Sequence, residues 1–255
     1  MKLIKINNSG LIPFVFIVVI AILPFVVAAQ KSNKPDGTPE TIVTNQNGMG
    51  PEISLEFTKG VAHNHPLLAI WIEDTTGNYI QTLYVSRSIA KGVFNYGDDS
   101  KGNWEPGEIR RPAALPYWAH KRGIKAPDGL YLPTPDNPVP DAYSGATPQD
   151  NFILHSKLDR SPPQVFTVLL EINQPWDWND YWTNNRFPGN EEYKTSAQPA
   201  VVYSVRINMK ELQDNYSMKL AGHSHYAGED GKLYPDISTL STAAQIAGQI
   251  VVSVK

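Results

Sequence analysis

The amino-acid sequence predicts an all-β fold, an antiparallel β-sandwich with long loop insertions rich in proline and aromatic residues. Two observations support this prediction. Short segments that are apolar, or that alternate between apolar and polar residues, recur between turns containing glycine or proline. The chain also lacks the long 3.6-residue apolar periodicity of amphipathic helices, which is typical of sandwiches rather than of α/β folds.

Eight segments have the pattern of a β-strand. Segment 53–58 alternates apolar and polar residues, as a half-buried strand does. Segment 67–72 is apolar throughout, which predicts a central strand, and a glycine-containing turn joins it to 79–85 in a hairpin. The other predicted strands are 152–155, 165–172, 201–207, 216–220 and 249–254. Segments 86–91 and 238–246 are long enough only for short helices.

The N-terminus has the pattern of an export signal. Lys2 and Lys5 precede an apolar run that ends at Ala28 and Ala29. We predict that residues 1–29 are a signal peptide, with an uncleaved membrane anchor as the alternative. Residues 30–50 are polar and aperiodic, which predicts a flexible linker, and 51–255 are predicted to form one β-sandwich domain. The protein is therefore expected in the periplasm or elsewhere outside the cytoplasm.

Charge and cysteine content exclude several functional classes. The formal net charge is −3, so the chain has no basic field for nucleic acid and we expect no nucleic-acid partner. The chain has no cysteine, which excludes disulfides, thiolate metal sites, iron–sulfur clusters and a cysteine nucleophile. A Gly-x-Ser-x-Gly elbow, a glycine-rich phosphate loop and a metalloprotease helix motif are also missing from the sequence. We therefore predict no independent enzymatic turnover.

Two long segments interrupt the regular strand spacing. Segment 94–150 holds nine of the 21 prolines together with seven aromatic residues, and a connection of this length is often functional. In segment 174–193, four aromatic residues close together in the sequence lie among carboxylates and amides; these are Trp176, Trp178, Tyr181 and Trp182. Such rings either pack over the end of the sandwich as additional core or stack on a sugar. We favour packing.

Four histidines form two His-x-His pairs, His63 with His65 and His223 with His225. Residues i and i+2 of a strand face the same side, so each pair presents two imidazoles together. If the pairs meet, they can bind zinc or copper. Otherwise they are strand-edge histidines that hydrogen-bond to loop backbone. We predict no metal site and keep the four histidines as its only candidates.

The stretch 141–147 reads Asp-Ala-Tyr-Ser-Gly-Ala-Thr, so that small residues surround the Thr147 hydroxyl. A surface turn stopped by Pro148 is one interpretation. The stretch also resembles the flavinylation motif of the FMN-carrying subunits of sodium-pumping quinone reductase and Rnf complexes. In that family an FAD:protein FMN transferase attaches FMN to the last threonine. The resemblance implies that Thr147 carries FMN and that the other motif residues shape its loop; they are Asp141, Ser144, Gly145 and Ala146.

A wider resemblance extends over residues 51–255. The chain is similar to the predicted periplasmic proteins called domain of unknown function 2271. The residues that carry this resemblance are 68–74, 81–85, Trp118, the motif stretch 141–147, 198–200, 222–225 and 231–235. That family is similar to immunoglobulin-like sandwiches and is associated with flavinylation and transmembrane electron transfer. The resemblance therefore implies an immunoglobulin-like topology.

Together with the export signal, the two resemblances imply an exported electron carrier with FMN covalently attached to Thr147. A membrane-bound reductase is the expected electron donor, and the transferase is the second expected partner. Tyr143, Trp118 and Tyr117 are the candidates to stack on the flavin, and Asp141 is expected to orient the loop. The alternative is a non-catalytic extracytoplasmic module, structural or binding a carbohydrate or metal, in which Thr147 is an ordinary turn residue.

Overall fold

The computed structural model describes residues 38–255, which form two large sheets and a short ribbon. The first sheet has five strands, in the order β1 (Glu40–Thr44), β8 (Phe152–Lys157), β2 (Glu52–Lys59), β13 (Ala247–Val254) and β11 (Tyr216–Ser217). The second has six, in the order β12 (Lys219–His223), β10 (Val201–Asn208), β9 (Val165–Asn173), β3 (Leu67–Glu73), β4 (Tyr79–Ser86) and β7 (Ser144–Gly145). Strands β5 (Val93–Asp98) and β6 (Glu105–Glu108) form the ribbon.

Helical segments are short. They are α1 (Arg87–Lys91), α2 (Pro116–Arg122), α3 (Glu191–Ser196) and the 3-10 turns Asp141–Tyr143 and Thr242–Gln245. Helix α1 and the second 3-10 turn lie within the two predicted helical segments, whereas α2 and α3 were not predicted. Both missed helices begin at residues that favour a helix N-terminus. Pro116 is the first residue of α2, and the Asn190 side chain caps α3 by accepting a hydrogen bond from the Tyr193 N–H.

The main core lies between the two sheets. Alternate residues of β2 (Ile53, Leu55 and Phe57) and of β3 (Leu68, Ile70 and Ile72) belong to one buried cluster. The intervening β3 residues, including Trp71, belong to a second cluster with Leu115, which precedes α2, and Trp118 of α2. Because both faces of β3 are covered, all its residues are buried, and the predicted central strand is confirmed.

The all-β fold is confirmed, and two details of the strand prediction are corrected. Strands β1 and β8 run parallel, as do β4 and β7, so the sheets are not purely antiparallel. The predicted strand 216–220 is divided, because residues on either side of Met218 pair with different sheets, Tyr216–Ser217 with β13 and Lys219–His223 with β10. Strands that change sheet in this way form the corners of sandwiches.

The flexible linker predicted for residues 30–50 is wrong where the structure describes it. Glu40–Thr44 form β1, and the Asn45 side chain donates hydrogen bonds to the Lys157 carbonyl and the Asp159 carboxylate. Polar composition concealed this strand because β1 is an edge strand with alternate residues half-exposed. The predicted signal or anchor at residues 1–29 lies outside the described residues. Among residues 38–255 no helix is long and apolar enough to cross a bilayer.

Candidate functional site

The motif stretch lies at the edge of the second sheet. Asp141–Tyr143 form a 3-10 turn, and Ser144–Gly145 then form β7, which pairs in parallel with Val85 and Ser86 at the end of β4. Thr147 therefore lies two residues after the end of a strand held by backbone hydrogen bonds. This arrangement fixes its position relative to β4, as a free surface bend would not.

The Thr147 hydroxyl has a defined partner. Its Oγ1 donates to Ser86 Oγ at 2.9 Å, and the same Ser86 oxygen accepts the Leu68 N–H at 3.0 Å. The Gln149 side-chain amide donates to the Thr147 carbonyl at 2.9 Å. Ser86 is fully buried, whereas Thr147 is half-buried. The hydrogen bond to Ser86 thus orients the Thr147 hydroxyl, and the half-buried Thr147 also lines a cavity.

Tyr84 explains why small residues precede Thr147. The Tyr84 hydroxyl donates to the Ala146 carbonyl at 2.6 Å, and burial raises the pKa of Tyr84 well above its usual range, so the donor stays protonated. A Cβ added to Gly145 would lie 3.0 Å from Cε2 of the Tyr84 ring, tighter than an ordinary van der Waals contact. Glycine at position 145 therefore lets the ring and the strand lie this close without displacing either.

A cleft of about 870 Å³ opens beside Thr147, which we call the Thr147 cleft. Its walls come from segments far apart in the sequence, and the side chains that carry its chemistry are Phe94, Tyr96, Trp104, Trp176, Arg87 and Arg111. Trp104 and Trp176 are each 63% exposed, although tryptophan is usually well buried. The volume lies in the range of cofactor sites, and aromatic walls with a few polar groups are typical of them.

The aromatic side chains predicted to stack on a flavin lie elsewhere. Trp118 is 0% exposed and its indole Nε1 donates to Thr82 Oγ1 at 3.0 Å, so stacking by Trp118 is wrong for this fold. Tyr117 packs edge-on against Trp71 and is nearly buried as well. Tyr143 does not line the cleft. Its hydroxyl donates to Asp159 at 2.7 Å, and burial, with this contact, raises its pKa to about 12.

The remaining motif positions serve the loop. Asp141 forms a salt bridge with Lys91 at 2.8 Å, at the end of α1, and this contact lowers the pKa of the Asp141 carboxyl. It is not among the residues that line the cleft. The Ser144 hydroxyl is buried and has no hydrogen-bond partner among the described residues. Ala146 is exposed and contributes to the cleft wall.

The histidine pairs have separate surroundings. The His63 ring contacts Phe57, whereas His223 packs against Trp182 and Tyr234. Within residues 38–255 no three histidine or carboxylate side chains come together in a possible metal site. The condition that both pairs meet is therefore not fulfilled by the described residues. His65 instead lines the Thr147 cleft.

The tryptophan segment divides between core and cleft. Trp182 is 6% exposed and packs among Phe187, Tyr193 and Tyr226, as the packing interpretation predicts. Trp176 has left-handed backbone with φ of 56°, is largely exposed and lines the cleft. The sequence predicted the aromatic richness of this segment and of 94–150, but no periodicity connects Trp104 with Trp176. Only the fold brings them to one cavity.

Comparison with known proteins found no family model, no curated protein and no solved structure that matches this chain.

Proposed function

We propose that this protein is an exported electron carrier that holds FMN covalently on Thr147. The observation that carries the proposal is the position of Thr147, the last residue of the flavinylation-like stretch, in the wall of a cleft of about 870 Å³ with aromatic sides. Ligand sites of cofactor size have volumes of about 300–1,000 Å³. Phe94, Tyr96, Trp104 and Trp176 offer flat apolar surfaces for the isoalloxazine.

The attachment requires an accessible nucleophile. In the proposed reaction the Thr147 oxygen bonds to the FMN-side phosphorus of FAD, the pyrophosphate bond breaks, AMP leaves, and the threonine proton is released to the transferase. Ser86 orients Oγ1 for this step through their hydrogen bond, and exposed Ala146 lets the loop enter a partner's active site. When bound, the flavin supplies the redox chemistry, and this chain's residues hold it and shield it from water.

Electron transfer also requires partners outside the cytoplasm. We place a membrane-bound reductase as the donor and the FAD:protein FMN transferase as the maturation enzyme. An immunoglobulin-like topology belongs to the same hypothesis, but the function does not depend on it. The cleft and the Thr147 contact require only the second sheet, the β5–β6 ribbon and their loops.

Co-expression with an active transferase tests the proposal. Wild-type protein is expected to gain the mass of FMN less water and to fluoresce in a denaturing gel. Thr147→Ala is expected to lose both signals, whereas Thr75→Ala, an exposed turn threonine used as the control, keeps them. Unmodified wild-type protein beside a positive control substrate would overturn the assignment.

The exposed tryptophans also favour a second candidate function. Trp104 and Trp176 form open aromatic surfaces, and Asn95 and Gln149 in the same cleft can hydrogen-bond to hydroxyl groups. A carbohydrate-binding module has these features. It predicts oligosaccharide binding to unmodified protein that is lost in Trp104→Ala and unaffected by Thr147→Ala, a pattern that flavin attachment does not produce.

A further inference from the structure

Arg111 carries a positive charge that the protein does not neutralise. Its guanidinium lies in the wall of the Thr147 cleft, with Cζ 4.8 Å from the centroid of the Phe94 ring. Its Nε is buried and has no hydrogen-bond partner among residues 38–255. Arg111 also forms no salt bridge within this part of the chain. Burial lowers the pKa of Arg111 and the charge of Glu192 opposes that shift, but Glu192 forms no salt bridge with Arg111.

The neighbouring arginine shows the contrast. Arg110 pairs with Asp128, and its Nη2 donates to the Leu132 carbonyl at 2.9 Å, so both of its terminal nitrogens have partners inside the protein. Its Nε, like that of Arg111, has no partner among residues 38–255, so the two arginines differ in their terminal nitrogens and in the salt bridge. A half-buried guanidinium without such partners loses hydration and gains little in return. This cost is offset when a ligand brings hydrogen-bond acceptors to the cavity, and bidentate acceptors suit the planar guanidinium best.

The surroundings of Arg111 define the shape of that ligand. The guanidinium lies over the Phe94 ring, and the exposed residues Trp104 and Trp176 line the same cleft. A flat ligand between aromatic surfaces presents its edge, not its face, to a side chain in the wall. The chemistry therefore calls for a planar heteroaromatic molecule with carbonyl or ring-nitrogen acceptors along one edge.

We propose that Arg111 binds the acceptor-bearing pyrimidine edge of an isoalloxazine ring in the Thr147 cleft. Arg87, which is exposed in the same cleft and follows Ser86 directly, is the cation for the phosphate. The inference rests on the proposed function for the identity of the ring, but the ring site itself does not require the covalent bond. Arg111 is thus a ligand-binding residue, and its role can be separated from attachment.

The test uses full-length protein made without a transferase, so that Thr147 is unmodified. Riboflavin, which lacks the phosphate, and FMN are titrated by quenching of their fluorescence. Arg111→Gln is expected to lower the affinities for riboflavin and for FMN by the same factor, about ten- to a hundredfold, since it removes charge-assisted hydrogen bonds to the ring. Arg87→Gln is expected to weaken FMN only. Arg206→Gln, an exposed arginine on β10 outside the cleft, serves as the matched control and changes neither affinity.

Three results would overturn the inference. The first is that wild-type protein does not quench riboflavin, and the second is that Arg111→Gln binds riboflavin and FMN as tightly as wild type does. The third is that Arg111→Gln weakens the binding of FMN alone, which would make Arg111 a phosphate ligand. If Arg111→Gln melts far below wild type, Arg111→Lys keeps the charge without the bidentate edge and is expected to weaken both ligands less. Arg111-dependent riboflavin binding without any FMN mass gain from the transferase would leave the ring site standing and reject the proposed covalent attachment. FMN attachment to Thr147 without Arg111-dependent binding of riboflavin would reject only the ring site.

Discussion

Thr147 Oγ1 donates a hydrogen bond to Ser86 Oγ at 2.9 Å, across 61 residues of sequence. The same serine oxygen accepts the Leu68 N–H, so one buried hydroxyl connects the motif loop, the end of β4 and the start of β3. The loop is thereby attached to the centre of the second sheet. This contact distinguishes Thr147 from a threonine in an independent surface turn.

Replacing Ser86 is therefore expected to have two effects. Ser86→Ala leaves the buried Leu68 N–H without its acceptor, which lowers the free energy of unfolding by about 1–3 kcal/mol. It also frees the Thr147 side chain, so the initial rate of FMN loading falls while the final site is unchanged. Chemical denaturation and a time course of gel fluorescence measure the two effects. Ser217→Ala, an exposed serine of β11, is the control, and equal loading rates would refute the orienting role.

Gly145 is expected to tolerate no side chain. Gly145→Ala places a Cβ 3.0 Å from the ring of Tyr84, which is fully buried in the main core cluster, so the ring or the strand must shift. Such overpacking costs about 1–3 kcal/mol. Gly189→Ala is a matched control, because nothing lies within 4 Å of a Cβ at Gly189. Equal denaturation midpoints for the two variants would contradict the close approach.

The two classes of tryptophan are expected to differ in stability and in binding. Trp118→Ala removes a 0% exposed ring from the core and should cost about 3–5 kcal/mol of unfolding free energy. Trp104→Ala removes a ring that is 63% exposed and should change stability by no more than about 0.5 kcal/mol. Trp104→Ala should nevertheless weaken riboflavin binding, as measured by fluorescence quenching. Unchanged binding would remove Trp104 from the ligand site.

Glu171 makes stability depend on pH. Burial raises the pKa of this fully buried carboxyl to about 8, although it accepts the N–H groups of Tyr117 and Trp118 at the start of α2. The folded state then holds a proton that the unfolded state releases near pH 4.5, so stability falls as pH rises from about 4.5 to about 8, by at most about 1.4 kcal/mol per pH unit. Denaturation of wild type and Glu171→Gln at pH 5, 6.5 and 8 (roughly spanning this window) should show a shallower dependence in the variant. Parallel curves would contradict this account.

Arg111 should also affect the redox potential of loaded protein. A cation at the pyrimidine edge stabilises the electron-rich reduced cofactor more than the oxidised one. The midpoint potential of Arg111→Gln is therefore expected to be more negative than that of wild type, with Arg206→Gln unchanged. Spectroelectrochemical titration measures all three, and an unchanged or more positive potential in Arg111→Gln would contradict a cation at that edge.

Much of the fold follows from local pattern. Strand β3 was predicted because an apolar run suits a strand covered on both faces, and the hairpin to β4 follows from its glycine turn. Strand β1 was missed because an edge strand needs no apolar alternation, and the division of 216–220 depends on sheet pairing that no local pattern contains.

The site was only partly predictable for the same reason. The stretch 141–147 is contiguous and stands out by its small residues, whereas the Thr147 cleft joins segments more than 80 residues apart, from His65 to Trp176. Trp118 was assigned to the site because it is an aromatic residue of the long segment before the motif and fits the family resemblance. It lies on the buried face of α2, and this burial follows from tertiary packing alone.

The most direct test of the central claim is a tandem mass spectrum of the tryptic peptide 126–157 from protein co-expressed with an active transferase. This peptide contains Thr147 together with Thr134, Ser144 and Ser156, so fragment ions distinguish the possible acceptors. We predict FMN on Thr147 alone. An unmodified peptide, or FMN on any of the other three residues, would contradict the account.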